Sequence, residues 1–130
     1  MKIYLEPTEA EGLFHAALCN GASYISGYGL SLDYEPEDYR KAKESLKQKQ
    51  GDSVVICRED VWLEILKIGG RLTLKDHEGG DDATITLAEV HARVQEADPD
   101  HLMDMINEQD DAVTADVILQ TVFYGEVIFG

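Results

Sequence analysis

A chain of 130 residues, 44% of them hydrophobic, has enough apolar mass for one buried core, and folding at this length hides roughly two thirds of the unfolded surface. Its 26 acids against 11 bases leave a net charge of −15, which disfavours direct nucleic-acid binding and contact with anionic lipid. No apolar run approaches the roughly 18 residues that span a bilayer. The opening Met1-Lys2-Ile3-Tyr4-Leu5-Glu6 has no signal-peptide pattern. Two cysteines, Cys19 and Cys57, are too few for a disulfide framework, so a cytoplasmic protein with both thiols buried as small hydrophobes is expected.

Residues 2–5 read as a short strand. Thr8 with Glu11 offers a capping box ahead of Leu13, Phe14, Ala17 and Leu18, predicting a helix over residues 8–19 that stops at Asn20-Gly21. In residues 22–34, Tyr24, Tyr28, Leu30, Leu32 and Tyr34 alternate with Ser23, Ser31 and Asp33. This pattern reads as one strand, with Gly27 and Gly29 marking a bulge or close packing.

Pro36 opens a second helix that begins acidic at Glu37 and Asp38, becomes basic through Arg40, Lys41, Lys43, Lys47 and Lys49, and ends at Gly51. Its apolar stripe, Tyr39, Ala42 and Leu46, is narrow, so most of it faces water. Residues 53–57, Ser-Val-Val-Ile-Cys, read as a short buried strand. From Glu59, the set Val61, Trp62, Ile65, Leu66 and Ile68 recurs at helical spacing up to Gly69-Gly70.

The period then changes to two. Leu72 and Leu74, then Ile85 and Leu87, flank a turn-rich segment from Asp76 to Asp82, which predicts a β-hairpin. Thr86 with Glu89 forms a second capping box for a helix carrying Leu87, Val90, Val94 and Ala97. Asp98-Pro99 launches a short helix with Leu102, Met105 and Ile106 inward, and a last helix is expected over residues 111–124. Gly125 releases residues 126–129 as a closing strand. The sum is an α+β fold: a single compact domain over residues 1–130, about five helices, and a small, mostly antiparallel sheet including a hairpin near residues 71–87.

Charge is the most informative feature. Residues 76–130 hold 14 of the acids and one base, Arg93, a net charge of −13, whereas residues 1–75 carry only −2. If residues 99–108 are helical, Asp100, Asp104 and Glu108 stack on one face, and the loop acids Asp76, Glu78, Asp81 and Asp82 and the acids Asp110, Asp111 and Asp116 extend the acidic half. The plainest reading is a solvated surface serving solubility. The leading functional reading is a non-enzymatic interaction or inhibitor protein that docks a basic macromolecule, a basic protein above all, through these acids. A DNA-mimic inhibitor of a nucleic-acid-binding protein is a further alternative; one stripe of carboxylates about 6 Å apart is too sparse to imitate phosphates about 3.4 Å apart.

No metal or cofactor site is expected. The loop from Asp76 to Asp82 departs from calcium-loop spacing, and His15, His77, His91 and His101 show no zinc-ligand spacing. Gly27-Tyr28-Gly29 lacks the lysine and third glycine of a phosphate loop. A small enzyme or ligand-binding domain with a pocket near Tyr24, Tyr28, Cys57 or Trp62 is the alternative from another class. In it Cys57, beside Arg58, would need one of the histidines as base. The basic face Arg40, Lys43 and Lys47 reads as solvated, or as the complement to the acidic half of a second copy.

Overall fold

The computed structural model describes residues 2–130. Six helices and three strands follow in the order α1 (Pro7–Ser26), β1 (Leu30–Asp33), α2 (Pro36–Gln50), α3 (Arg58–Lys67), β2 (Leu72–Asp76), β3 (Ala83–Ile85), α4 (Leu87–Arg93), α5 (Pro99–Ile106) and α6 (Ala112–Tyr124), with a 3-10 turn, Val94–Glu96, after α4. The strands form one antiparallel sheet in the order β1-β2-β3, making the described residues a single α+β domain. No helix among them is long and apolar enough to cross a membrane.

Alternation sets the sheet's two faces. Leu30, Leu72, Leu74 and Ile85 are buried, while Ser31, Asp33, Lys75 and Thr84 between them are exposed. The register pairs Leu32 with Leu74 and Leu72 with Ile85, so the apolar side chains meet across strands. Thr73 and Thr84 share a hydroxyl hydrogen bond of 2.8 Å on the polar face. The hairpin is where the two-residue period placed it, and Glu89 closes back on Thr86 to start α4, accepting from its backbone N–H at 3.3 Å and its hydroxyl at 2.8 Å.

Helix α1 departs most from its expected bounds. It begins earlier, with the Glu6 N–H donating to Glu9 at 2.9 Å rather than with Thr8 and Glu11, and it runs through Asn20-Gly21 to Ser26. Gly21 is buried inside it: a Cβ built there lies 2.9 Å from the Ala115 Cβ and 3.2 Å from the Ala115 carbonyl carbon. Glycine here permits close approach of α6; it does not end the helix. At the other end of the interface Phe14 meets Phe123, ring centroids 6.2 Å apart, so α1 and α6 run antiparallel. The strand expected over residues 22–34 shrinks to β1, because the helix consumes its first half.

Three further expected strands are absent. Residues 2–5 have no regular structure, and neither do residues 53–57, where Val55 is 84% exposed. Residues 126–129 fold back along α6 and pair with a side chain: the Ile128 and Phe129 N–H groups both donate to Gln120 Oε1 at 2.8 Å.

Arg93, the single base of the acidic half, donates to the carbonyls of Val122 and Phe123 at 2.9 and 3.4 Å. It caps the C-terminal end of α6, where carbonyls lack helical partners and the dipole favours a cation.

The narrow inner stripe of α2, Ala42 and Leu46, packs on α3 with one polar tie. Glu64, 2% exposed, accepts from Lys49 Nζ and from Ser45 Oγ, both at 2.7 Å. Burial pushes its pKa up, but these two hydrogen bonds and the lysine charge outweigh that and hold it below the ordinary carboxylate range. A depressed folded pKa contributes stability that is complete above the unfolded value of about 4.3 and lost as pH falls through the folded one. Lys49→Met is therefore expected to cost about 1–3 kcal/mol at pH 7. In urea titrations from pH 7 to pH 3 the gap to the wild-type protein should narrow once Glu64 is protonated; a constant gap would show that the pair contributes packing alone.

Candidate functional site

The acids of the C-terminal half share one property: among the described residues, the ion pairs all use carboxylates from residues 1–75. They do not share one function. Asp116 is 4% exposed, accepts from Tyr28 Oη at 2.9 Å and Gln120 Nε2 at 2.7 Å, and is thus a core group rather than a surface acid. Asp111 caps α6, accepting from the Thr114 N–H at 2.9 Å, a bond that holds its carboxyl below the usual range. Asp76 and Asp82 accept backbone N–H groups of the hairpin loop, from Glu78 at 2.8 Å and from Asp76 at 3.0 Å. Their order is that of a polar turn, with the carboxylates replacing backbone acceptors.

Nor do they form one patch. Tyr124, at the C-terminal end of α6, has its phenol pKa raised by burial and then by Asp76, Asp82 and Asp81, which places the hairpin acids at that end. Asp111 caps the opposite end, about 20 Å away along the axis. The expected stripe of Asp100, Asp104 and Glu108 is also broken. Asp100 and Asp104 are exposed on α5, but the helix ends at Ile106, and Glu108 sits at φ 57°, in the left-handed region that glycine or asparagine fills at least strain.

That turn places Glu108 on the rim of a groove. Between α1 and α5 lies a cleft of about 530 Å³ floored by Leu5, Leu13, Ala16, Met105 and Ile106 and edged by Glu9, Glu108 and Asp110. Ile106, expected inward, is 41% exposed and Met103 40%, because the eight-residue α5 buries only Leu102 and Met105. Asp110 accepts from Asn20 Nδ2, which ties the α5–α6 connection to α1. An apolar floor ringed by carboxylates was not readable from spacing, since α1 and α5 lie far apart in the chain.

Elsewhere the fold assembles a thiol cluster. Both cysteines are exposed, contrary to the expected burial, because residues 53–57 form no strand and Cys19 lies on the outer face of α1. His15 Nε2 is 2.7 Å from Asp60 Oδ1, and Cys19 Sγ lies 3.9 Å from His15 Nδ1. Asp60 also accepts from the Cys57 N–H at 3.0 Å, starting α3. The chemistry is unfavourable for a nucleophile. Partial burial, then the charges of Glu59 and Asp60, raise the Cys19 pKa, suppressing the thiolate that attack requires. Among the described residues no group of three or more His, Cys, Asp or Glu is placed to hold a metal ion.

The tyrosines named as pocket candidates are packing residues. Tyr24 and Tyr28 meet edge to face at 5.8 Å, and Tyr28 stacks on Phe129 at 5.3 Å. Trp62, by contrast, lines a pocket of about 400 Å³ where α1, β1, α3 and α6 converge, with Arg58 the one charged residue of its lining. Cys57 is not part of it. No protein-family model, curated protein or solved structure shows significant similarity to the chain.

Proposed function

We propose that this protein is a docking module whose α1–α5 groove takes a basic amphipathic helix of a partner protein. The observation that carries the reading is Glu108: a charged residue in a left-handed turn, without an ionic partner among the described residues, at the edge of an apolar cleft. Backbone strain of this kind costs about 1 kcal/mol and marks positions where geometry serves something other than stability. Glu9 and Asp110 add like charge at the same rim, an arrangement that ion pairing with a basic segment would relieve. Leu13, Ala16 and Ile106, half-buried or exposed in the cleft, offer the apolar face that the i, i+3 and i+4 positions of such a helix need. The net charge of −15 would also speed encounter with a cationic partner.

DNA mimicry draws less support, because a duplex imitation requires continuous rows of carboxylates, and here the acids divide between two ends of α6. Catalysis draws less as well, since in the cluster of Cys19, His15 and Asp60 partial burial and the neighbouring carboxylates disfavour the thiolate.

The test is fluorescence anisotropy with a labelled lysine–leucine amphipathic peptide, against an acidic peptide of the same pattern and a scrambled basic one. Glu108→Gly should move two observables in opposite directions. Relief of the left-handed strain raises fold stability by about 1 kcal/mol, while loss of a rim charge weakens the peptide severalfold and lowers its salt dependence. Ile106→Asp separates floor from rim: it adds negative charge, yet should abolish binding if the apolar contact is required. Equal binding of the scrambled peptide, or unaltered affinity in both variants, would refute the assignment.

A further inference from the structure

The second cavity has the opposite electrostatic character. In a chain of net charge −15, the pocket among α1, β1, α3 and α6 has no carboxylate in its lining and one cation, Arg58. Its walls are apolar, built from Leu18, Ile25, Leu119 and Phe123, with Ser23, Ser26 and Ser31 also among the lining residues. At about 400 Å³ it falls within the range of small-molecule sites, about 300–1,000 Å³.

Arg58 is an unusual choice for its position. It is the first residue of α3, where the helix dipole disfavours a cation. Its guanidinium lies over the Trp62 ring at 5.0 Å. Glu59 engages only its Nε, at 3.2 Å, leaving the terminal nitrogens, the fork that receives carboxylates in pairs, without a carboxylate among the described residues. Ser31 Oγ lies 2.6 Å from His77 Nε2, so the Ser31 hydroxyl already has a partner outside the pocket.

We infer that this pocket binds a small amphipathic anion, an apolar body ending in a carboxylate, with the chain or ring against Leu18, Leu119 and Phe123 and the carboxylate at Arg58. The site is separate from the α1–α5 groove, so it stands or falls independently of peptide docking. Trp62 is the only tryptophan and lines the pocket, so intrinsic fluorescence reports occupancy directly.

The experiment is titration of the full chain with octanoate and, as an uncharged match, octanol, at physiological ionic strength. A saturable change in Trp62 emission is expected for octanoate, with octanol weaker by about tenfold, the difference a charge-assisted hydrogen bond makes. Arg58→Gln, at a solvent-exposed side chain, should keep the far-ultraviolet dichroism, lose about tenfold in octanoate affinity and leave octanol and the basic peptide unaffected. Ser23→Leu, at an exposed position of the lining, should block both alkyl ligands without unfolding the chain. Equal affinity for octanoate and octanol, undiminished octanoate binding in either variant, or no saturable response would overturn the assignment.

Discussion

Gly21→Leu is expected to lose about 4 kcal/mol, a large share of the roughly 5–15 kcal/mol typical of a folded domain, whereas Gly12→Ala, in the same helix, is expected to gain about 0.5–1 kcal/mol. The two glycines share a backbone conformation and differ in their surroundings. At Gly21 an added Cβ lies 2.9 Å from the Ala115 Cβ, 3.0 Å from Leu119 Cδ1 and 3.2 Å from the Ala115 carbonyl carbon. The last of these is backbone, so relief requires α6 to move, and α6 carries Ile118, Leu119, Val122 and Phe123 in the core. At Gly12 nothing lies within 4 Å, and alanine's lower unfolded-state entropy and better helix propensity act without opposition. Gly21→Ala tests the balance: its propensity gain of about 1 kcal/mol offsets part of an overpacking cost of about 1–3 kcal/mol. Guanidinium denaturation of the three variants measures all of these. Wild-type stability in Gly21→Leu would mean that the α1–α6 crossing is looser than the contact distances require.

The same glycine shows why some of the fold was legible and some was not. Signals contained within a few residues held: Pro36 and Gly51 bracket α2, Thr86 and Glu89 open α4, and Asp98-Pro99 opens α5. The two-residue period of Leu72, Leu74 and Ile85 located the hairpin. Signals whose reason lies elsewhere in the chain misled. Asn20-Gly21 looks like a helix stop unless Ala115 is known to lie against it, and Ile128 and Phe129 look like a strand unless Gln120 is known to accept both N–H groups. Val54 and Val55 form an apolar run that nothing covers. For the candidate sites, the concentration of acid was visible, but its division was not: the i, i+4, i+8 stripe assumed a helix two residues longer than α5, and the turn that follows sends Glu108 to the groove. Arg58 did leave a local trace, a cation at the start of a helix, where the dipole argues against one.

The second large effect is expected at Gln120, whose side chain is fully buried and uses its whole hydrogen-bonding capacity. Its Oε1 accepts from Ile128 and Phe129, and its Nε2 donates to Asp116 Oδ1 at 2.7 Å and to the Phe129 carbonyl at 3.3 Å. Gln120→Glu preserves shape and acceptors but removes both donors, and it sets a second carboxyl against Asp116, whose other oxygen is already taken by Tyr28. The expected loss at pH 7 is about 3–5 kcal/mol, the range for an uncompensated buried charge. Its pH dependence follows from the sign of the shift. Two carboxyls sharing a site have a raised folded pKa, so below the unfolded value of about 4.3 the protonated carboxyl keeps one O–H donor and only the other lost donor counts, and the deficit grows as pH rises through that value. Gln120→Met loses all four bonds without adding a charge, so it should cost about 3 kcal/mol at every pH between 4 and 7. Urea midpoints at pH 4, 5.5 and 7 distinguish the two: a deficit in Gln120→Glu that does not grow with pH would place the new carboxyl in solvent, which requires the tail of residues 126–130 to have left α6.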